Sequence, residues 1–204
     1  MLAEYGVGRA SLREALRILE FHGLISIRSG AGGGPVVGGV HTEDFGRMAT
    51  LYFQAGSMTF RELIEARLIL EPVMARLAAE RRDPELLDQL LEAGAHRKSP
   101  PGDDDVYLYS SRDFHRLVAQ MAGNSILYLF GYSLHTIFQD RVRGMLFPVS
   151  RRGEVFAAHA AIAQAIADGE PARAEELMRE HMARYARYAK RRYPALWDEV
   201  VDWR

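Results

Sequence analysis

The sequence contains no cysteine among its 204 residues. This absence excludes disulfide bonds, thiolate zinc sites and cysteine nucleophiles, and it fits the reducing conditions of a cytoplasm. Any bound metal ion must then be held by histidine and carboxylate side chains. The sequence also lacks an N-terminal targeting pattern and an apolar run of the roughly 18 residues that a membrane-spanning helix needs. We therefore expect a cytoplasmic protein without a membrane partner.

The sequence has little net charge of either sign, with a formal value of −1 at pH 7. Overall charge therefore gives no argument for nucleic-acid binding, which would require a basic patch within one segment. The N-terminal region contains such a patch, because Arg9, Arg13 and Arg17 follow one another at four-residue intervals beside Leu12 and Leu16. This spacing places the three cations on one side of a helix. The simpler explanation of the same pattern is a solvated helix face.

Two helices separated by a turn are predicted in the first part of the chain. Residues 2–5 form the end of one helix, Gly6 breaks it, and a second helix begins near Arg9. Residues 11–14 have the form of a capping box for this second helix, and Gly23 supplies its stop.

A small β-hairpin follows the second helix. Residues 24–27 and 35–37 are strand candidates on either side of a glycine-rich loop. Gly38 and Gly39 then indicate a flexible joint, so we place the end of the first domain at residue 39.

The second domain, residues 43–204, is predicted to be an all-α bundle of about seven helices. The predicted helices cover residues 43–55, 59–82, 84–97, 104–122, 124–146, 151–168 and 171–191. Pro84 and Pro171 stand at the first positions of two of these helices, where proline is tolerated. Pro72 lies inside another and is expected to kink or reset it.

Three histidines each fall on the apolar stripe of a different predicted helix: His115, His159 and His181. For each ring alone, a hydrogen-bonded core histidine is the simpler explanation. Three rings that converge inside a bundle point to a shared partner, most simply a divalent metal ion. Zinc is the first choice, with nickel and iron as alternatives. His135 also lies on a mostly apolar helix, but no motif supports it, so we assign it to the core or the surface.

Arg67 lies on an apolar stripe, where an arginine needs an anion. Glu71, four residues later, could provide this anion as an ordinary ion pair within the helix. The alternative is the carboxylate of an organic-acid effector, which a guanidinium group binds in bidentate fashion. Arg141 is a second and weaker candidate for an effector contact.

Two stretches near the N-terminus resemble the winged-helix signature of the GntR family of transcriptional regulators. They are residues 2–17 and residues 20–25. The helical part resembles the FCD effector domain of the FadR branch of that family. The second resemblance rests on Glu65-Ala66-Arg67 with Leu70-Glu71, Asp113-Phe114-His115 with Gly123-Asn124, and His159 with Ala165-Ile166, Gly169 and His181.

The resemblance implies a mainly α fold, in which a winged helix-turn-helix precedes the helical effector domain. Family members carry a further helix ahead of the first residues here, so we expect the winged domain to lack its first helix in this sequence. In the second helix, the resemblance assigns base contacts to Arg9 and Arg13, with Ser11 in the same approach. Arg17 lies further along the helix, so we expect it to contact phosphate. In the hairpin loop, Ser29 and Gly30 match the wing tip that lies along the minor groove.

The resemblance also implies a metal site made of the three histidines and an Asp or Asn one turn before the first. Ser111 occupies that position here, and a hydroxyl is a weak ligand for such metals. Either the three histidines leave open coordination positions for water or effector, or the site is a metal-free polar pocket. Asp113 is a poor substitute, because positions two apart do not share a helix face.

We therefore expect a ligand-responsive DNA-binding transcriptional regulator rather than an enzyme. Its expected partners are a double-stranded operator with an inverted repeat and a small carboxylate effector, and a homodimer supplies the two reading helices. A metal-dependent enzyme is one alternative, because three inward histidines with an open position also describe a catalytic site. A ligand-binding module without DNA binding is another.

Overall fold

The computed structural model describes residues 2–30, 32–38, 42–95, 104–142 and 148–201. Its first part contains α1 (Leu2–Tyr5), α2 (Arg9–Phe21), β1 (Ile25–Arg28) and β2 (Gly34–Val37). Its second part contains α3 (Thr42–Ala55), α4 (Phe60–Arg81), α5 (Pro84–Ala95), α6 (Asp104–Met121), α7 (Ser125–Val142), α8 (Val149–Ala167), α9 (Pro171–Arg192) and α10 (Pro194–Trp197). The predicted fold class, a helix pair with a hairpin followed by an all-helical region, is confirmed.

The ends of α2 agree only partly with the sequence analysis. Gly8 precedes the first turn and provides no side-chain cap, so the capping box predicted at residues 11–14 is wrong. The helix begins at Arg9, which places Ser11 within its first turn rather than ahead of it. The stop at Gly23 is confirmed: Gly23 has a φ of 70°, and the amides of Gly23 and Leu24 donate to the carbonyls of Glu20 and Leu19.

The hairpin packs close to the end of α2. β1 and β2 are antiparallel, with Ile25 opposite Val37. The amide of Ile27 donates to the Glu20 carboxylate at 3.1 Å. Gly38 donates to the carbonyl of Leu24, and the rest of the predicted joint, together with residues 40–41, lies outside the described residues.

Helix α4 is central to the helical part and contacts α6, α7, α8 and α9. It begins with a capping box, in which the Thr59 amide donates to the Glu62 carboxylate at 2.7 Å. Pro72 is buried within it. Of the two effects expected of Pro72, a kink or a reset, the reset does not occur, because α4 continues to Arg81; the kink stays a prediction. Met74 and Ala75, two and three residues after the proline, are buried; they hold the following turn in the core and offset the lost hydrogen bond.

The other predicted helices agree with the structure to within a few residues. Predicted extensions of α5 and α7 fall in residues 96–97 and 143–146, which lie outside the described residues. The four-residue α10 was missed, since it is too short to show a helical period. The main core joins α4, α5, α6, α8 and α9 around Met74, Leu90, Phe114, Ile162 and Met178. None of the described helices combines the length and apolar character needed to cross a membrane.

Candidate functional site

The three predicted histidines converge in the middle of the helical part. His115 comes from α6, His159 from α8 and His181 from α9, and all three are buried. One nitrogen of each ring lies within 4.8 Å of those of the other two. The His159 ring stacks on Phe114, with centroids 4.0 Å apart. The apolar stripes predicted from the sequence therefore turn these rings inward, and the packing of the helices brings them together.

The spacing of two of these rings suits a metal ion. Nε2 of His159 lies 3.2 Å from Nε2 of His181. Two nitrogens that bind one tetrahedral Zn²⁺ at about 2.0 Å lie about 3.3 Å apart. The two atoms are therefore separated by nearly the distance that a shared metal ion imposes.

A second group of polar side chains adjoins the histidines. Glu71 of α4, His115 of α6 and His135 of α7 also bring one ligand atom each within 4.8 Å of one another. Glu71 Oε2 lies 2.5 Å from His115 Nδ1. Glu71 Oε1 accepts from Arg67 Nε at 2.7 Å. His115 is thus shared between the two groups.

Arg67 contacts both Glu71 and His135 in this second group. Its NH2 nitrogen lies 2.6 Å from Glu71 Oε1 and 2.9 Å from Nδ1 of His135. Its guanidinium carbon also lies 3.9 Å from the centre of the Phe138 ring. The ion pair within the helix that the sequence offered as the simpler explanation of Arg67 is therefore formed.

Burial and neighbouring charges set the protonation states of the cluster. Burial raises the pKa of the Glu71 carboxyl group, but the Arg67 guanidinium and the contact with His115 outweigh burial and hold this pKa well below its usual value. Burial, reinforced by Arg67, lowers the pKa of His135 to about 3. Burial, reinforced by His115, lowers the pKa of His181 to about 3. Near neutral pH, the cluster therefore holds an ionised Glu71 and uncharged rings at His135 and His181.

The donor set fits a divalent metal held by three imidazoles. Neutral imidazole is the form that binds metals, and His181 is held in that form by burial. Ser111 is half-buried in α6, one turn before His115. Asp113 lies on the same helix and is paired with Arg116 at 2.6 Å. Neither residue adds a carboxylate to the histidine trio.

The structure describes the side chain of only one of the two predicted effector residues. Arg67 lies within the cluster, as described above. Arg141 lies in α7, but its side chain is outside the described part of the chain. Both assignments remain predictions.

Sequence reasoning missed two members of the cluster. His135 had been assigned to the core or the surface, yet its ring lies 4.6 Å from that of His115. Glu71 had been considered only as the partner of Arg67. The sequence did offer two hints of the cluster: Glu71 lies one turn after Arg67, and His135 lies on an apolar helix. Periodicity cannot show, however, that α4, α6 and α7 are in contact.

The predicted DNA-contacting residues lie on an open surface. Arg9, Ser11, Arg13 and Arg17 are exposed on α2. No residue of α2 is buried among the described residues. At the hairpin, Ser29 and Gly30 are also exposed, and Gly30 has a φ of 103°, which favours glycine at this turn. Their roles in DNA contact remain predictions.

Comparison with known proteins identifies the class. The FCD domain family matches residues 62–184. The chain is 28% identical over 187 residues to the HTH-type transcriptional repressor NanR of Enterobacter sp. (strain 638), which covers 87% of this chain and 70% of that protein. It is 29% identical over 181 residues to the HTH-type transcriptional regulator Mce2R of Mycobacterium tuberculosis, covering 84% of this chain and 72% of that protein.

Solved structures agree with this classification. The Streptococcus agalactiae GntR structure superposes with a TM-score of 0.62 at 26% identity, covering 91% of this chain and 85% of that chain. Escherichia coli McbR/YncC shares the fold, with a TM-score of 0.55 at 18% identity over 94% of this chain and 84% of that chain. The chain belongs to the GntR family of transcriptional regulators, in the branch that carries an FCD domain.

Proposed function

We propose that this regulator reads an operator with α2 and the hairpin, and that a small carboxylate bound beside a metal ion in the helical part controls this reading. The observation that carries the proposal is the convergence of three buried histidines, two of which have Nε2 atoms 3.2 Å apart. Relatives that are transcriptional regulators favour this function over a metal-dependent enzyme.

In this proposal, the metal ligands are His115, His159 and His181. Zinc is the first choice, and nickel and iron suit the same nitrogen donors. The bound ion would act as a Lewis acid and leave at least one coordination position for an oxygen atom of the effector.

Charge favours an anionic effector. Three neutral imidazoles leave the charge of a divalent ion uncompensated in a buried site, which is costly. Glu71 is the carboxylate that adjoins the trio, and Arg67 already offsets its charge at 2.6 Å. A small carboxylate would supply the missing negative charge, and Arg67, still paired with Glu71, would add attraction for it.

DNA recognition is assigned to the exposed residues of the first part. Arg9, Arg13 and Ser11 would meet base edges, Arg17 would contact phosphate, and the loop of Ser29 and Gly30 would approach the minor groove. A homodimer would place two reading helices on an inverted repeat. Effector binding would shift the equilibrium between two arrangements of the dimer that differ in operator affinity.

Two linked measurements test this function. A panel of organic acids is screened by thermal shift with zinc-loaded and chelator-treated protein, and active acids are added to a DNA-binding assay with an operator selected from random sequences. We expect stabilisation by specific acids only in the zinc-loaded protein, together with a change in operator affinity. Acids that bind equally without metal would contradict the metal-linked site, and binding without any effect on DNA affinity would indicate a ligand-binding module.

A further inference from the structure

A carboxylate that adjoins the histidine trio comes from a different helix than the family pattern implies. We propose that Glu71 is a positioning residue of the metal site: it holds His115 through Nδ1, so that Nε2 of His115 faces the ion held by His159 and His181. This inference rests on the proposed function, since it assumes that the trio binds a metal.

The contact between Glu71 and His115 is direct and shielded from water. Glu71 Oε2 lies 2.5 Å from His115 Nδ1, with side-chain exposures of only 3% and 5%. The pair does not meet the alignment of a hydrogen bond, and neither atom has another hydrogen-bond partner among the described residues. Two buried polar atoms in contact, without any other partner, can be satisfied by a proton shared between them.

Metal binding would place a proton at this contact. A histidine that binds a metal through one ring nitrogen carries its proton on the other, and it usually donates that proton to a carboxylate or a carbonyl. The donation fixes the ring orientation and makes the ligating nitrogen more basic. With Nδ1 of His115 facing Glu71, Nε2 is the nitrogen available for the ion.

The two oxygens of Glu71 have separate partners. Oε1 accepts from Arg67 at 2.7 Å, which leaves Oε2 for His115. Arg67 is itself held against His135 at 2.9 Å and against the Phe138 ring. Arg67 therefore occupies Oε1, and Oε2 is the oxygen that reaches His115.

The test is the zinc affinity of Glu71→Gln, measured by competition with a chromophoric chelator. We expect binding about 10- to 100-fold weaker than in the wild type, because the amide is a poorer acceptor for the His115 proton. Glu80→Gln is the matched control. Glu80 lies on the same helix in an exposed pair with Arg76 at 3.1 Å, and this variant should bind zinc like the wild type.

A second pair of variants separates positioning from general stability. Arg67→Met keeps the contact between Glu71 and His115 and removes a buried cation, so it should bind zinc at least as tightly as the wild type. The double variant Arg67→Met/Glu71→Gln removes both buried charges, which favours folding, and should bind zinc as weakly as Glu71→Gln alone.

Three results would overturn the inference. Wild-type affinity in Glu71→Gln and in the double variant would show that Glu71 does not act on His115. An affinity of Arg67→Met as low as that of Glu71→Gln would show that the ion pair is only structural. Failure of the wild type itself to bind zinc would overturn the proposed metal site together with this inference, whereas either of the first two results would leave that site intact.

Discussion

Arginines in the two parts of the molecule have opposite surroundings. Arg9 and Arg13 are exposed on α2, whereas Arg67 is only 2% exposed and contacts Glu71 and His135. The first kind of arginine is open to solvent, where a phosphate or a base can reach it. The second kind is paired inside the protein, where an unpaired cation would be costly.

Both kinds of arginine have the same sequence pattern, a cation beside an apolar stripe. The difference lies in the neighbours, because α4 packs against α6, α7, α8 and α9 and a carboxylate follows Arg67 one turn later. On α2, the leucines beside the arginines are only partly covered by the described residues. Arginines on an exposed helix face are suited to binding DNA. An arginine buried against a carboxylate is suited to organising a buried site.

Removal of an exposed arginine should have the largest effect on DNA binding. In Arg13→Ala, we expect operator affinity to fall by about 1–3 kcal/mol, with relaxed specificity at one base position, because a bidentate base contact is lost. The measurement is fluorescence anisotropy with the selected operator and with single-base variants of it. Arg173→Ala, an exposed arginine paired with Glu176 at 2.8 Å, is the control. Equal losses in both variants would mean that Arg13 contributes only general charge.

The buried part should respond to acid. The pKa of His135 is lowered to about 3 in the folded protein, so only the unfolded chain takes up a proton at this residue between about pH 6.5 and about pH 3. Stability from this group is complete above that window and is lost as the pH falls through it. Urea unfolding of chelator-treated protein should show about 2 kcal/mol less stability from this residue at about pH 5 than at about pH 7.5.

The same measurement on His135→Gln isolates the histidine. His181, whose pKa is also lowered to about 3, changes stability in the same direction and remains in both proteins. We expect the variant to lose less stability on acidification, by about 2 kcal/mol. An unchanged pH dependence would show that His135 accepts a proton as readily in the folded state as in the unfolded state.

The turn after α2 offers a smaller test in the first part. Gly23→Ala should destabilise the protein by about 1–2 kcal/mol from its left-handed backbone alone, and the new Cβ would also overlap the Asp44 carboxylate. Gly153→Ala is the control, because no atom of the described residues lies within 4 Å of a Cβ added there and the site is helical. Thermal unfolding should show a loss for the first variant and a neutral or small stabilising effect for the second.

The smallest expected effect concerns a phosphate contact. Arg17→Ala should weaken binding to all DNA sequences to a similar extent and reduce the salt slope of the binding constant by about one. Titrations at several salt concentrations measure this slope. A loss of specificity with an unchanged slope would instead assign Arg17 to base reading.

Most of the fold was predictable, because helical period, proline at first positions and glycine stops are local signals. The burial of His115, His159 and His181 followed from their apolar stripes, and their convergence was expected from the family resemblance. The contact of Glu71 with His115 was not predictable, since it depends on how α4 and α6 pack. The exposed face of α2 could be read from spacing, but the engagement of Arg67 with His135 could not, because these residues lie 68 positions apart.

The central claim is that the buried histidines bind a metal ion, and metal analysis of the purified protein tests it most directly. Inductively coupled plasma mass spectrometry would be applied to the wild type and to His115→Ala after incubation with zinc, nickel or iron and removal of excess ion. We predict about one equivalent of metal per chain in the wild type and its loss in the variant. Wild-type protein that retains no metal under any of these conditions would contradict the account.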